Sequence, residues 1–253
     1  MTTDPAQNPR EQRAATSVEK LHGELRGRIL SGDLEAGTPL REEALSAEYQ
    51  LGRHTVRAAL RQLAAERLVS IQPYSGARVT LLDDDEVRAL MQLRSALEGE
   101  AVRLLNRRAS ESGSAAAAAS ASASARADDL DAANDPDVAH AILAGVYSAN
   151  DELRRVCRDS PGDRSAIEAA HATLHHAIVE AADSPRITDA HAQLEAESIL
   201  FLAQLRQVLD AEEMIRQHDQ LVADLLLRGE DAIHEHLERA ADQLIAARAA
   251  PTA

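Results

Sequence analysis

The sequence predicts a mainly α-helical protein, in which an N-terminal winged helix-turn-helix is followed by an all-α bundle of six or seven helices. Aromatic residues form only 2% of the 253-residue chain and hydrophobic residues 45%, so the cores must be aliphatic, which favours closely packed helices. Residues 40–80 read in the order helix, tight turn, helix and two short strands. Beyond position 82, apolar residues recur at three- and four-residue steps and no second strand region is evident.

Three segments are predicted: a disordered tail at residues 1–16, a winged helix-turn-helix domain at 17–82 and an all-α domain at 83–253. The net charge of −15 is divided unevenly between them. Residues 10–82 hold eleven basic and nine acidic residues, whereas residues 83–253 hold sixteen and thirty-two. The acidic segment would repel phosphate, so we expect it to lie away from a duplex or to face a partner.

Several classes of protein do not fit this composition. No apolar run approaches the roughly 18–20 residues of a membrane span, and the N-terminus lacks a signal-peptide pattern. Cys157 is the single cysteine, so neither an intrachain disulfide nor a cysteine-based zinc site can form. We therefore expect a cytoplasmic protein without a membrane partner.

In the first domain, apolar steps predict a helix over about 17–30, followed by a turn at 35–39. Further helices are expected at about 41–49 and 53–66, separated by the turn Gln50-Leu51-Gly52. Two strand-like runs, at 69–72 and 77–80, flank a Pro/Gly tip and form the predicted wing.

In the second domain, the acidic residues at 83–85 complement the dipole at the start of a long amphipathic helix. The Ala/Ser-rich stretch at 109–127 is expected to be a loop or a frayed connection. Helical stretches follow at about 136–157, 163–182, 186–210 and 211–248, the last of them breaking near Gly229. Ser184 and Pro185 have the residue types of an N-cap and a first helical position.

The second helix of a helix-turn-helix lies in the major groove of DNA, and its first turns reach the base edges. The candidates there are Arg53, His54, Thr55 and Arg57, with the two arginines suited to guanine. Gly76 would let the wing backbone approach DNA, and lesser candidates for phosphate contacts are Arg41, Arg61 and Arg78. The alternative is that Arg53 and Arg57 are only solvated helix charges.

Four histidines in the second domain fall on apolar helix stripes. His171 and His175 are four residues apart and share one face, while His218 and His236 lie within or beside stripes of two later segments. Imidazole nitrogens converging in this way could bind a divalent transition metal. The alternative is a set of hydrogen-bonded core histidines without a metal.

The first domain resembles that of the GntR family of bacterial transcription regulators, through EEALSAEYQLGRHTVRAALRQLAAERLV and SGARV. Gly52, His54 and Thr55 replace the family's usual residues. The second domain, through LMQLRSALEGEAVRLL and HATLHHAIVEAADSPRI, looks like the FCD-type effector-binding domain of the FadR subfamily. The whole resemblance covers roughly residues 17–248.

That resemblance implies a metal site and an effector pocket. The family's aspartate ligand corresponds to His171, and its first two histidines correspond to His175 and His218. The third falls near His236 after a gap of about one turn, with His234 as the other possibility. An all-histidine site favours a borderline metal such as Zn or Ni. Arg94 matches an arginine directed at an anionic effector, such as a small organic acid, although it could instead pair with Glu98.

The expected function is a homodimeric regulator, more often a repressor in this family, whose binding to a near-palindromic operator responds to an effector. One alternative is a sensor for which the metal ion is itself the signal. Another is a metal-dependent enzyme built on the bundle, but no general base or nucleophile has a recognisable arrangement beside the histidines.

Overall fold

The computed structural model describes residues 9–72, 76–123, 141–205 and 210–249, which form ten helices and three short strands. These residues separate into two units. The first extends to Leu82 and includes Ile199–Gln204, and the second comprises Asp83–Ser198 and Leu205 onwards.

The first unit contains α1 (Pro9–Ser31), α2 (Glu42–Tyr49) and α3 (Arg53–Ala65), with α3 packed against both α1 and α2. Its core is aliphatic, as predicted, and includes Leu21, Leu25, Ile29, Val56, Leu60 and Leu63. The predicted disordered tail is wrong over residues 9–16, where the backbone is helical, while residues 1–8 lie outside the described residues.

The turn between α2 and α3 and the wing follow the predicted order. Gln50 has a left-handed backbone with φ 54°, and Gly52 begins α3 by accepting a hydrogen bond from the Thr55 amide. Strands β2 (Val69–Gln72) and β3 (Gly76–Val79) pair antiparallel. The predicted turn at 35–39 missed a third strand, β1 (Pro39–Leu40), which pairs with the other side of β3. Residues 73–75 of the predicted wing tip lie outside the described residues, whereas Gly76 begins β3.

The second unit begins with α4 (Asp84–Ala123), a helix of 40 residues. It starts with a reciprocal cap, in which the Asp83 side chain accepts from the Glu86 amide at 2.8 Å and the Glu86 side chain accepts from the Asp83 amide at 2.9 Å. The predicted loop or frayed connection at 109–127 is wrong as far as Ala123, and the remainder lies outside the described residues. Alanine is the strongest helix former, so a helix already nucleated upstream extends through this stretch despite its serines.

Six further helices follow α4 in the described residues: α5 (Ala144–Asp159), α6 (Arg164–Glu180), α7 (Pro185–Ala192), α8 (Glu195–Leu205), α9 (Ala211–Asp224) and α10 (Glu230–Ala249). All belong to the second unit except the Ile199–Gln204 part of α8. The single helix predicted at 186–210 is wrong, because the chain turns at residues 193–194. Gly229, with φ 61°, separates α9 from α10 as predicted. Ser184 is the N-cap of α7, but its side chain makes no capping bond.

Helix packing brings the histidine-bearing helices together. α4 packs against α6, α7 and α10, while α5 packs against α6 and α9. His171 and His175 are buried on α6 with Ile167, Leu174 and Ile178, so the predicted inward face is correct. None of the helices in the described residues has the length and apolarity that crossing a membrane requires.

Candidate functional site

The start of α3 presents basic side chains at the surface of the first unit. The Arg53 and Arg57 side chains are 64% and 59% exposed, and His54 is also exposed. Thr55 is half-buried, and Val56 is fully buried and anchors the helix. Both guanidinium groups therefore lie at the protein surface.

Each of these arginines has a carboxylate partner on α2. Arg57 Nε donates to Glu42 Oε2 at 2.7 Å, and Arg53 Nη2 donates to Glu43 Oε1 at 3.0 Å. The sequence interpretation missed both pairs. A Glu-Glu pair in the helix before the recognition helix was the available signal, but only the angle between α2 and α3 shows which arginine each carboxylate meets.

The other residues predicted to contact DNA differ in their contacts within the protein. The Arg41 and Arg61 side chains are exposed and form no hydrogen bond or ion pair with other described residues. Arg78 Nη1 donates to the Gly37 carbonyl at 3.2 Å, which fixes it beside the sheet. Gly76 is exposed with φ 78°, a backbone conformation that other residues rarely adopt.

His171, His175, His218 and His236, hereafter the histidine cluster, meet inside the second unit. One candidate ligand atom from each lies within 4.8 Å of the others, and all four side chains are buried. The ring centroids of His171 and His218 are 4.6 Å apart, and those of His218 and His236 are 4.7 Å apart. His234 is exposed and hydrogen-bonds the carbonyl of Glu230 in its own helix.

Hydrogen bonds at the far side of two rings fix their tautomers. His175 Nδ1 is 2.7 Å from Glu98 Oε2, and His218 Nδ1 is 2.7 Å from the Met214 carbonyl. Because carboxylate and carbonyl oxygens accept, both rings donate through Nδ1 and keep a lone pair on Nε2. Both Nε2 atoms are buried without a partner in the described residues, as is His171 Nδ1.

These donors fit a transition-metal ion. Buried imidazole nitrogens without partners are costly unless something binds them. Tetrahedral zinc–nitrogen bonds of about 2.1 Å would place the ligand atoms about 3.4 Å apart. The candidate atoms lie within 4.8 Å of one another, so the rings would have to move inward to complete the site. The hydrogen bond from His175 to a carboxylate is the usual support for a metal-bound histidine.

The electrostatics keep the cluster neutral. Burial and the neighbouring His175 lower the pKa of His218 to about 3. Burial, together with the other cluster histidines, also lowers the pKa of His171 and of His236 well below the ordinary value. Neutral imidazole is the form that binds a metal.

Glu98 links the histidine cluster to Arg94. The sequence indicated it only as a possible partner of Arg94, not as a partner of the histidines. Its carboxylate is fully buried and accepts from Arg94 Nε at 2.8 Å, from His175 Nδ1 at 2.7 Å and from His191 Nε2 at 3.2 Å. Burial alone would raise the pKa of Glu98, but the Arg94 charge and the histidines outweigh it and hold that pKa well below its usual range. The predicted alternative for Arg94, an ion pair with Glu98, is thus present.

Arg94 also lines a cavity of about 250 Å³ beside the cluster. The same cavity is lined by His171 and His175 and by His191, which the sequence interpretation did not select. Its remaining lining consists of Ala172, Thr173, His176, Ala192, Glu195 and Ser198. A small anion in this cavity could therefore meet both a guanidinium group and the edge of the histidine cluster.

Comparison with known proteins agrees with this architecture. Residues 17–79 match the family of bacterial regulatory proteins, gntR family. The chain is 27% identical over 208 residues, 82% of its length, to 77% of a protein from Paenarthrobacter nicotinovorans named "Probable D-xylose utilization operon transcriptional repressor". It is 38% identical over 86 residues to the gluconate operon transcriptional repressor of Bacillus licheniformis, of which it spans 35%.

Among solved structures, a transcriptional regulator GntR from Rhodococcus sp. RHA1 has the same fold, with a TM-score of 0.62 at 20% identity over 92% of this chain and 99% of that one. The first unit thus has a winged helix-turn-helix fold in which the start of α3 is exposed. The named relatives are transcriptional regulators rather than enzymes. The domain at residues 17–79 is a GntR-type domain by its match to that family.

Proposed function

We propose that this chain is a cytoplasmic, homodimeric repressor that binds a near-palindromic operator and is controlled by a small carboxylate effector with the help of a divalent transition metal. The effector domain is of the FCD type. The observation that carries the proposal is that one chain combines an exposed arginine pair on the recognition helix with four buried, converging imidazoles.

DNA binding is supported by the accessibility of Arg53 and Arg57 at the start of α3. Each guanidinium group can pair with O6 and N7 of guanine, which contributes roughly 1–3 kcal/mol of discrimination per pair. Repression is supported by the names of the relatives, which are operon repressors. A two-fold dimer would match a two-fold operator.

Effector control is supported by the cavity that Arg94 shares with His171 and His175. Arg94 uses Nε on Glu98, so its two terminal nitrogens remain for a carboxylate. The histidine cluster would hold Zn or Ni, and such an ion polarises oxygen ligands bound to it. A carboxylate is the effector chemistry that satisfies both groups.

The test begins with protein purified without a histidine tag. Its metal content is measured, and its operator is selected from a randomised duplex pool. We expect stoichiometric transition metal, a two-fold operator, and release of that operator by some members of a panel of small carboxylates. If the pool yields no preferred sequence, the proposed regulator function is wrong. If the protein binds no metal even when Zn or Ni is added, the proposed metal site is wrong.

The Arg57→Lys variant tests whether Arg57 recognises a base or only attracts DNA by its charge. Lysine keeps the positive charge but cannot form the guanidinium fork, so affinity for the selected operator should fall about tenfold or more while affinity for scrambled DNA changes little. Equal affinity of the variant and the wild type for the operator would remove Arg57 from base recognition.

A metal sensor is the second candidate, favoured by one observation. Four histidines supply enough ligands to close a tetrahedral site, leaving no open position for an effector. In that case chelation alone would switch operator binding, and no carboxylate would change it.

A further inference from the structure

Both arginines of the recognition helix are engaged by acidic residues of the preceding helix. Glu42 holds Arg57 at 2.7 Å and Glu43 holds Arg53 at 3.0 Å. Acidic groups at a surface meant for phosphate reduce its affinity for DNA. Their presence at this position therefore needs an explanation other than attraction to DNA.

Fold stability does not supply a sufficient explanation. The Arg53 and Glu43 side chains are 64% and 78% exposed, and those of Arg57 and Glu42 are 59% and 34% exposed. Ion pairs in contact with solvent contribute little to folding. Glu42 and Glu43 lie in the first turn of α2, where negative charge complements the helix dipole. That effect would act equally well without contacts to the two arginines.

We propose that Glu42 and Glu43 set the specificity of the recognition helix, by keeping Arg57 and Arg53 off phosphate and available to bases. Glu42 is a positioning residue, since it binds the Nε edge of Arg57 and leaves both terminal nitrogens for a guanine. Glu43 occupies one terminal nitrogen of Arg53, so Arg53 must exchange that contact for a base contact. On non-specific DNA, where no guanine is in register, both arginines remain with the carboxylates.

This inference rests on the proposed DNA-binding function and deepens it. It predicts that the carboxylates lower non-specific affinity more than operator affinity. Freeing both arginines would add up to two phosphate contacts on non-specific DNA. Each contact steepens the dependence of log K on log salt concentration by about 0.9.

The experiment compares wild type with Glu42→Gln/Glu43→Gln on two duplexes, the operator selected with the wild-type protein and a scrambled sequence of the same length. Binding is measured by fluorescence anisotropy across a salt series. We expect the variant to bind the scrambled duplex about tenfold more tightly, with a salt dependence steeper by about 1–2 in slope, and to show a specificity ratio reduced about tenfold.

Glu48→Gln is the matched control. Glu48 is an exposed carboxylate of the same helix and pairs with Arg28 of α1 at 2.9 Å, away from both arginines. The Glu48→Gln substitution removes one negative charge and should leave the ratio of operator affinity to scrambled-duplex affinity unchanged. Thermal unfolding of every variant verifies folding, and the single variants Glu42→Gln and Glu43→Gln replace the double variant if it unfolds.

The outcomes separate the inference from the function beneath it. If the wild type selects no operator, the DNA-binding function itself fails. If an operator is selected but the double variant strengthens binding to both duplexes by the same factor, simple charge removal explains the result and the specificity role is wrong.

Discussion

At the scale of single residues, the second unit is organised around a buried carboxylate. An ionised side chain removed from water is tolerated only when several donors compensate it, and Glu98 has Arg94, His175 and His191. The carboxylate also fixes the His175 tautomer, because it can only accept. The chemistry of the histidine cluster therefore depends on a residue outside it.

Replacing this carboxylate by its amide tests that dependence. In Glu98→Gln, the amide cannot stabilise the donating His175 ring as well, so zinc affinity should fall about 10–100-fold. Competition with a chromophoric chelator measures it. Glu100→Gln, an exposed neighbour paired with Arg103, is the control and should bind zinc like the wild type. Unaltered affinity in Glu98→Gln would show that His175 is oriented by packing alone.

The residues that sequence could identify are those with a periodic signal. His171 and His175 share a helix face by spacing, and His218 lies within an apolar stripe, so their burial follows from the 3.6-residue repeat. Glu98 and His191 carry no such signal as partners, since they are 93 residues apart and meet only through the packing of α4 against α7. Pairings across the bundle of this kind cannot be read from one sequence.

At the scale of elements, the start of α4 is encoded in the local sequence more clearly than its length. The Asp83–Glu86 reciprocal cap begins α4, as the local sequence indicates. Its extension through residues 109–123 was missed because alanine favours helix while serine and glycine oppose it, and the upstream helix decides the balance. The turn after α7 was missed because residues 193–194 contain neither glycine nor proline.

The reciprocal cap gives a prediction for stability. Asp83→Ala removes the acceptor for the Glu86 amide, and the free energy of unfolding should fall by about 1 kcal/mol. Urea denaturation measures the change. Asp85→Ala removes an equivalent negative charge from the first turn without touching the cap, so a loss of equal size in both variants would assign the whole effect to the helix dipole.

At the scale of the whole molecule, the cluster makes the metal-free protein sensitive to acid. The pKa of His218 is about 3 in the folded state, against about 6.5 for an unfolded histidine. Between these values the unfolded chain binds more protons, so the contribution to stability is complete above pH 6.5 and declines as the pH falls towards 3. Burial lowers the pKa of His171, His175 and His236 in the same direction.

We therefore expect the unfolding free energy of the chelator-treated protein to fall between pH 7 and pH 5. The slope should reach about 1.4 kcal/mol per pH unit for each histidine that stays neutral. Urea unfolding at several pH values measures it, with His218→Leu as the comparison, which should show a shallower slope. Parallel curves for the two proteins would mean that His218 is not held neutral by the fold.

The two oxygens of Glu98 have a consequence for ligands. One oxygen accepts from His175 of the cluster, and the other accepts from Arg94 and His191 at the cavity. Binding of a metal ion by His175 and binding of an anion by Arg94 would therefore be linked, because both sites contact the Glu98 carboxylate. If the metal ion changes the affinity for the anion by some factor, the anion must change the affinity for the metal ion by the same factor.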